Sequence, residues 1–105
     1  KLLETMGIAD TNTANAVLVP GGLVAQRLVT GEADLAIHQI SEILAVKGAT
    51  LVGPLPAEIQ SYTTYTGGLS ASGAQAEAGR SFLAFLRGDV ARRLLAEKGM
   101  ESVAN

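Results

Sequence analysis

The sequence predicts an α/β fold: a parallel or mixed sheet flanked by helices. Three observations point there. Short continuous apolar runs (Ala16–Val19, Leu35–Ile37, Thr50–Val52) have the length and density of strands covered on both faces. Helical stripes alternate with them, which is the order that generates a layered α/β architecture. Glycines and prolines fall between the two kinds of segment, where turns are needed.

Taken in order, Lys1 to Met6 reads as the last turns of a helix, with Gly7 as its C-terminal cap. Asp10 to Asn15 reads as a polar loop. Ala16–Val19 is the first strand, closed by Pro20. A helix is expected directly after Gly21-Gly22, with Val24, Ala25, Leu28 and Val29 on one stripe. Gly31 ends it, and Glu32-Ala33-Asp34 turns the chain into the second strand, Leu35–Ile37. That strand stops on His38 and Gln39. Ile40, Ile43 and Leu44 form a second short stripe halted by Lys47-Gly48. Thr50–Val52 is the third strand, broken by Gly53-Pro54-Leu55-Pro56. Tyr62 to Ala71 carries three threonines and two tyrosines and reads as β-prone, either an edge strand or a strand leaving one lobe for another. Ala76 to Leu86 is amphipathic through Ala78, Phe82, Phe85 and Leu86. A last helix starts at Asp89, taken as its N-cap, and ends at Gly99.

Composition narrows the function. The 105 residues suffice for about one small domain, yet 48% are hydrophobic and only 4% aromatic. Such an apolar surplus suits a piece of something larger; with its opening at Lys1 inside a helix tail, the chain reads as cut from a longer precursor. Exposed apolar faces on such a piece favour self-association into an oligomer, against which a single chain in light scattering would count. A net charge of -2 with scattered signs argues against a nucleic-acid or acidic-membrane surface. No cysteine is present, so neither disulfides nor thiolate chemistry enter. No apolar run approaches the roughly 20 residues of a membrane helix.

The candidate site lies where a helix start and a strand end are expected to meet, since ligands of open α/β sheets collect at that junction. Gly21 and Gly22 would expose backbone N–H groups, and Gln39 would add a side-chain amide. His38 and Ser41 are the polar neighbours. His38 is the only histidine, and the sequence places beside it no ligand set for a metal and no nucleophile elbow. It reads more readily as a satisfied structural residue at a strand end. No catalytic residue, metal site or cofactor is expected, and the chain does not read as an enzyme. Arg87-Gly88-Asp89 spells an adhesion tripeptide, but here it serves as the cap between two helices.

Several segments in series carry a resemblance: Val-Pro-Gly-Gly-Leu-Val-Ala from Val19, Thr-Gly-Glu-Ala-Asp-Leu-Ala-Ile from Thr30, Gln-Ile-Ser-Glu-Ile from Gln39, and Leu-Val-Gly-Pro-Leu-Pro from Leu51. Phe-Leu-x-Phe-Leu from Phe82 and Leu-x-Glu-Lys-Gly-Met from Leu95 complete it. From Ala16 to Met100 the chain resembles the C-terminal part of bacterial extracellular solute-binding proteins, nearest to the molybdate-binding-protein-like group. The resemblance implies a type II periplasmic-binding-protein-like fold of two lobes, present here in part. Residues 1–61 would belong to the second lobe. Residues 62–105 would hold the crossing strand and the C-terminal helices that return to the first lobe; roughly the first half of such a protein would lie outside this chain. It also implies the substrate-binding component of an ABC importer, located in the periplasm, with a small anion as ligand and a membrane permease as partner. The family's oxyanion-binding helix start falls on Gly21. The position where molybdate binders carry a tyrosine falls on Gln39, a departure that suits a carboxylate at least as well as a molybdate-like oxyanion. The effector domain of a LysR-type transcription regulator shares the two-lobed fold and is the alternative.

Overall fold

A computed structural model describes residues 1–103 and divides them into two units, Lys1–Gln60 and Ser61 onward. Residues 104 and 105, the end of the second expected segment, lie outside the described residues.

The first unit holds four short helices: α1 (Leu2–Thr5), α2 (Ala9–Thr13), α3 (Gln26–Val29) and α4 (Ile40–Leu44). The second holds α5 (Ala76–Leu86) and α6 (Asp89–Glu97). Within the units, α1 packs against α2 and α5 against α6. The two long helices form where the apolar spacing demanded them, because a helix satisfies its backbone from within its own segment. α6 opens one residue earlier than expected: Gly88 is its N-cap, and Asp89 is its first residue, favourable there toward the helix dipole.

Three of these helices end at a glycine. After α3, Gly31 takes φ 77°, its N–H donates to the Leu28 carbonyl (3.3 Å), and the next N–H, of Glu32, donates to the Arg27 carbonyl (2.9 Å). That pair of bonds closes the helix end and requires a left-handed residue at its centre. α1 and α6 end in the same way, at Gly7 and Gly99.

One expected loop is helical. Asp10 to Asn15 overlaps α2 because its polar side chains bond back to the preceding turn. Thr13 Oγ1 donates to the Ala9 carbonyl at 2.7 Å and Asn15 Nδ2 to the Thr11 carbonyl at 3.2 Å. Those bonds hold the turn in place of a packed apolar face.

The expected sheet is absent: among the described residues there is no strand, so the parallel or mixed α/β architecture does not hold. The three apolar runs are chain without ladder bonds, and most of their side chains face solvent; Leu18 is 88% exposed, Leu35 74% and Val52 95%. The stretch from Tyr62 is likewise no strand, and both of its tyrosines are exposed. The physical reason is the non-local character of a sheet. An apolar run states that it prefers burial; it becomes a strand only with a bonded neighbour on each side and a layer on each face. Here the described hydrophobic core is Ala25, Val46 and Ala91, too little to supply either.

One polar cluster ties the end of α3. Arg27 Nη1 donates to both carboxylate oxygens of Glu32 at 2.8 Å, and Thr30 Oγ1 donates to Glu32 Oε1 at 2.8 Å. The Arg27 bond, then that of Thr30, holds the Glu32 carboxyl below the usual carboxylate range. Because the folded value is the depressed one, the contribution of this group to stability is present above the unfolded carboxylate value. It is lost as pH falls through the folded value. In Arg27→Gln the Glu32 carboxyl carbon, followed by NMR against pH, is expected to titrate higher than in the unaltered chain; an unmoved midpoint would refute the assignment to Arg27.

Candidate functional site

The two stretches expected to form the site are both in the first unit. Around the glycine pair, Gly22 takes φ 82°, a backbone conformation that side-chain-bearing residues seldom adopt. The helix does not begin at once. Its first bonds are of the tighter i to i+3 kind: the N–H groups of Gln26, Arg27 and Leu28 donate to the carbonyls of Leu23, Val24 and Ala25 at 3.1, 3.0 and 3.2 Å. α3 proper starts at Gln26 with Ala25 as N-cap, so three residues separate Gly22 from it. The consequence is a run of donors. None of the backbone N–H groups of Gly21, Gly22, Leu23, Val24 and Ala25 donates to an acceptor among the described residues. Gly21 and Gly22 are exposed, whereas Ala25 is 1% exposed and anchors the run. Successive unengaged N–H groups offer what an anion needs from a backbone.

The second stretch surrounds the start of α4. Gln39 is the N-cap, with extended φ -61° and ψ 138°. Its carbonyl accepts the N–H groups of Glu42 and Ile43, both at 3.1 Å. Because the backbone does the capping, the side-chain amide is not used as the helix cap. Ser41 is the second residue of α4 and half-buried. Among the described residues no hydrogen bond joins Gly21 or Gly22 to His38 or Ser41.

His38 has a partner that sequence reading missed. Its Nδ1 lies 2.6 Å from Oε2 of Glu42, four residues on; the two side chains are 26% and 41% exposed. The nitrogen itself is enclosed by protein atoms and has no aligned hydrogen bond, so the contact is short but off the axis of an N–H donor. It becomes an ion pair when the imidazole is protonated. The signal was available: an acid four residues after a basic group across a helix start.

A shallow depression of about 360 Å³ lies elsewhere in this unit, lined by Gln26, Val29, Thr30, Ala45, Val46 and Lys47. It includes none of the expected site residues, and apart from Val46 its walls are exposed, so it does not enclose a ligand as small-molecule sites do. Among the described residues no three His, Cys, Asp or Glu side chains converge as a metal would require. No helix of the described residues is long and apolar enough to cross a membrane.

A family model described as bacterial extracellular solute-binding protein matches residues 1–101. Among curated proteins, the chain is similar to an aconitate isomerase from Pseudomonas sp, with 30% identity over 102 residues. The match takes in 97% of this chain and 39% of that protein, so the chain spans about two fifths of its relative's length. No solved structure matches.

Proposed function

Since the chain belongs to the bacterial extracellular solute-binding proteins, we propose that it helps to capture a small organic carboxylate outside the cytoplasm and deliver it to the permease of an ABC importer. The observation that carries this reading is the run of unengaged N–H groups from Gly21 to Ala25, a backbone cradle for a carboxylate's oxygens. Gln39 adds an amide that both donates and accepts, and His38 and Ser41 border it. Capture is non-covalent, and exclusion of water over these bonds supplies much of its strength.

Carboxylate is preferred to a molybdate-like oxyanion because Gln39 stands where molybdate binders carry a tyrosine, and its amide NH2 can donate to a carboxylate oxygen. The curated relative's name also refers to aconitate, an unsaturated tricarboxylate. The exposed side chains of Phe82, Phe85, Val90 and Leu94 on α5 and α6 support association with further protein surface, a second copy included.

The test is a thermal-shift series with aconitate and other small carboxylates, molybdate, tungstate, sulfate and phosphate. A carboxylate held at 100 times its dissociation constant is expected to add about 2.7 kcal/mol to the stability of the native state, and to raise the melting temperature accordingly. Stabilisation by molybdate and tungstate alone would overturn the carboxylate assignment.

A further inference from the structure

We propose that Tyr62–Thr66 is the edge by which two copies of this chain join, as an antiparallel two-stranded ribbon centred on Thr64. The inference concerns assembly and is independent of the ligand.

The first support is the backbone. Residues 60–70 run without helix, turn or bend, and neither Gly67 nor Gly68 takes a positive φ, so the stretch carries straight on through them. In such chain the N–H and C=O groups of alternate residues share one edge. Among the described residues, the backbone groups of Tyr62, Thr64 and Thr66 make no hydrogen bond, and residues 61–70 are all exposed. These three residues present one open edge.

The second support is what holds the stretch in place. Leu69 lies against Gly79 of α5, and Leu83 of α5 lies against Gly67, where an added Cβ would come within 2.8 Å of its Cδ2. Positions 67 and 69 share one face of extended chain, and 79 and 83 stand one turn apart on the helix, so the two contacts fix a single line of chain on α5. An edge already pinned at one end loses less conformational freedom on pairing than a loose one.

The third support identifies the partner as a second copy. From Ile59 to Ala76 there is no Asp, Glu, Lys or Arg and no proline, so two copies can lie side by side without opposing like charges. Charges and prolines are the devices that keep free edges apart, and this edge has none. The register is self-complementary. With Thr64 opposite its counterpart, Tyr62 faces Thr66 of the second copy, and Thr63 faces Tyr65. Every pair then sets a β-branched residue against an aromatic or another β-branched one, as stable sheets do. The ladder bonds run between the two Thr64 residues and from Tyr62 to Thr66, which uses the open edge alone. The arrangement closes on itself about a two-fold axis.

The chain has no cysteine, so single cysteines report the register. Oxidative cross-linking of Thr64→Cys, Thr63→Cys and the exposed-site control Leu18→Cys is followed on non-reducing gels. Sedimentation over a concentration series compares the unaltered chain with Thr64→Pro and Phe85→Glu. Residues opposite one another in a hydrogen-bonded pair stand about 5.5 Å apart between Cα atoms, within disulfide range. Thr64→Cys is therefore expected to link about 10-fold or more faster than Leu18→Cys, because pairing raises its local concentration. Thr63→Cys should link slowly, since each such residue lies two positions out of register with its counterpart. Thr64→Pro removes both central N–H groups and is expected to raise the dimer dissociation constant by about 10- to 100-fold. Proline favours extended chain, so circular dichroism of α5 and α6 should be unchanged. A monomer at every concentration would overturn the pairing, as would equal linking rates at the three cysteines. A dimer kept in Thr64→Pro but lost in Phe85→Glu would move the interface to the apolar face of α5 and overturn it too.

Discussion

Replacing Gln39 by leucine lowers the affinity for a small carboxylate by about 10- to 100-fold, the loss expected when a hydrogen bond to a charged group, worth roughly 1.5–3 kcal/mol, is deleted. The cap of α4 should survive the change. Gln39 caps α4 through its carbonyl, which leucine retains, and its φ of -61° and ψ of 138° lie where leucine is unstrained. Affinity and stability are measured separately at this position. Calorimetric titration with the best carboxylate from the thermal-shift series measures the first, and urea unfolding the second. An unchanged dissociation constant would remove Gln39 from the site. A parallel loss of stability would mean that the side chain serves the fold.

Ala25→Leu is expected to destabilise the first unit by about 1–3 kcal/mol, the usual cost of forcing extra methylenes into filled space. Ala25 is 1% exposed, the most completely covered residue described, and it stands at the hinge between the N–H run and α3. For a unit of this size each kcal/mol corresponds to about 4–8 °C in melting temperature, so a fall of several degrees is predicted in calorimetry. Val52→Thr is the control: Val52 is 95% exposed, and a surface change there should stay within about 0.5 kcal/mol. Equal melting temperatures for the two variants would show that Ala25 is not part of a packed core. Because the leucine would also displace the N–H groups of Leu23 to Ala25, the variant should bind carboxylate more weakly as well.

What the sequence made legible follows the range of the forces involved. α5 and α6 could be read because every bond and most contacts of a helix lie within four residues, and Phe82, Phe85 and Leu86 mark the face unambiguously. Ile40–Leu44 was readable for the same reason. α2 was not, because Thr13, Asn12 and Asn15 stabilise it with side-chain bonds, which apolar spacing does not register. The strands failed at the opposite end of the scale. Val17, Leu35 and Ile37 are apolar enough for a buried strand, but pairing depends on what lies alongside, and the described chain sets no bonded neighbour beside them. Gln39 was legible as a polar residue ending an apolar run. The Glu42 partner of His38 was not, because His38 was read as the end of a strand and Glu42 as part of the next element. The structure makes the two neighbours across the first turn of α4.

The stretch that begins at Ser61 carries one more consequence. Tyr62 is 73% exposed and Tyr65 63% exposed, on backbone that belongs to no helix or ladder, while farther along Leu69 lies against Gly79 of α5. Proteases bind their substrates as extended, accessible chain, so an enzyme that cuts after aromatic residues has an open address here, at the border of the two units. The fragments it releases would end at Tyr62 or Tyr65, and the larger one would keep the N–H run, Gln39 and the His38–Glu42 pair on a single piece.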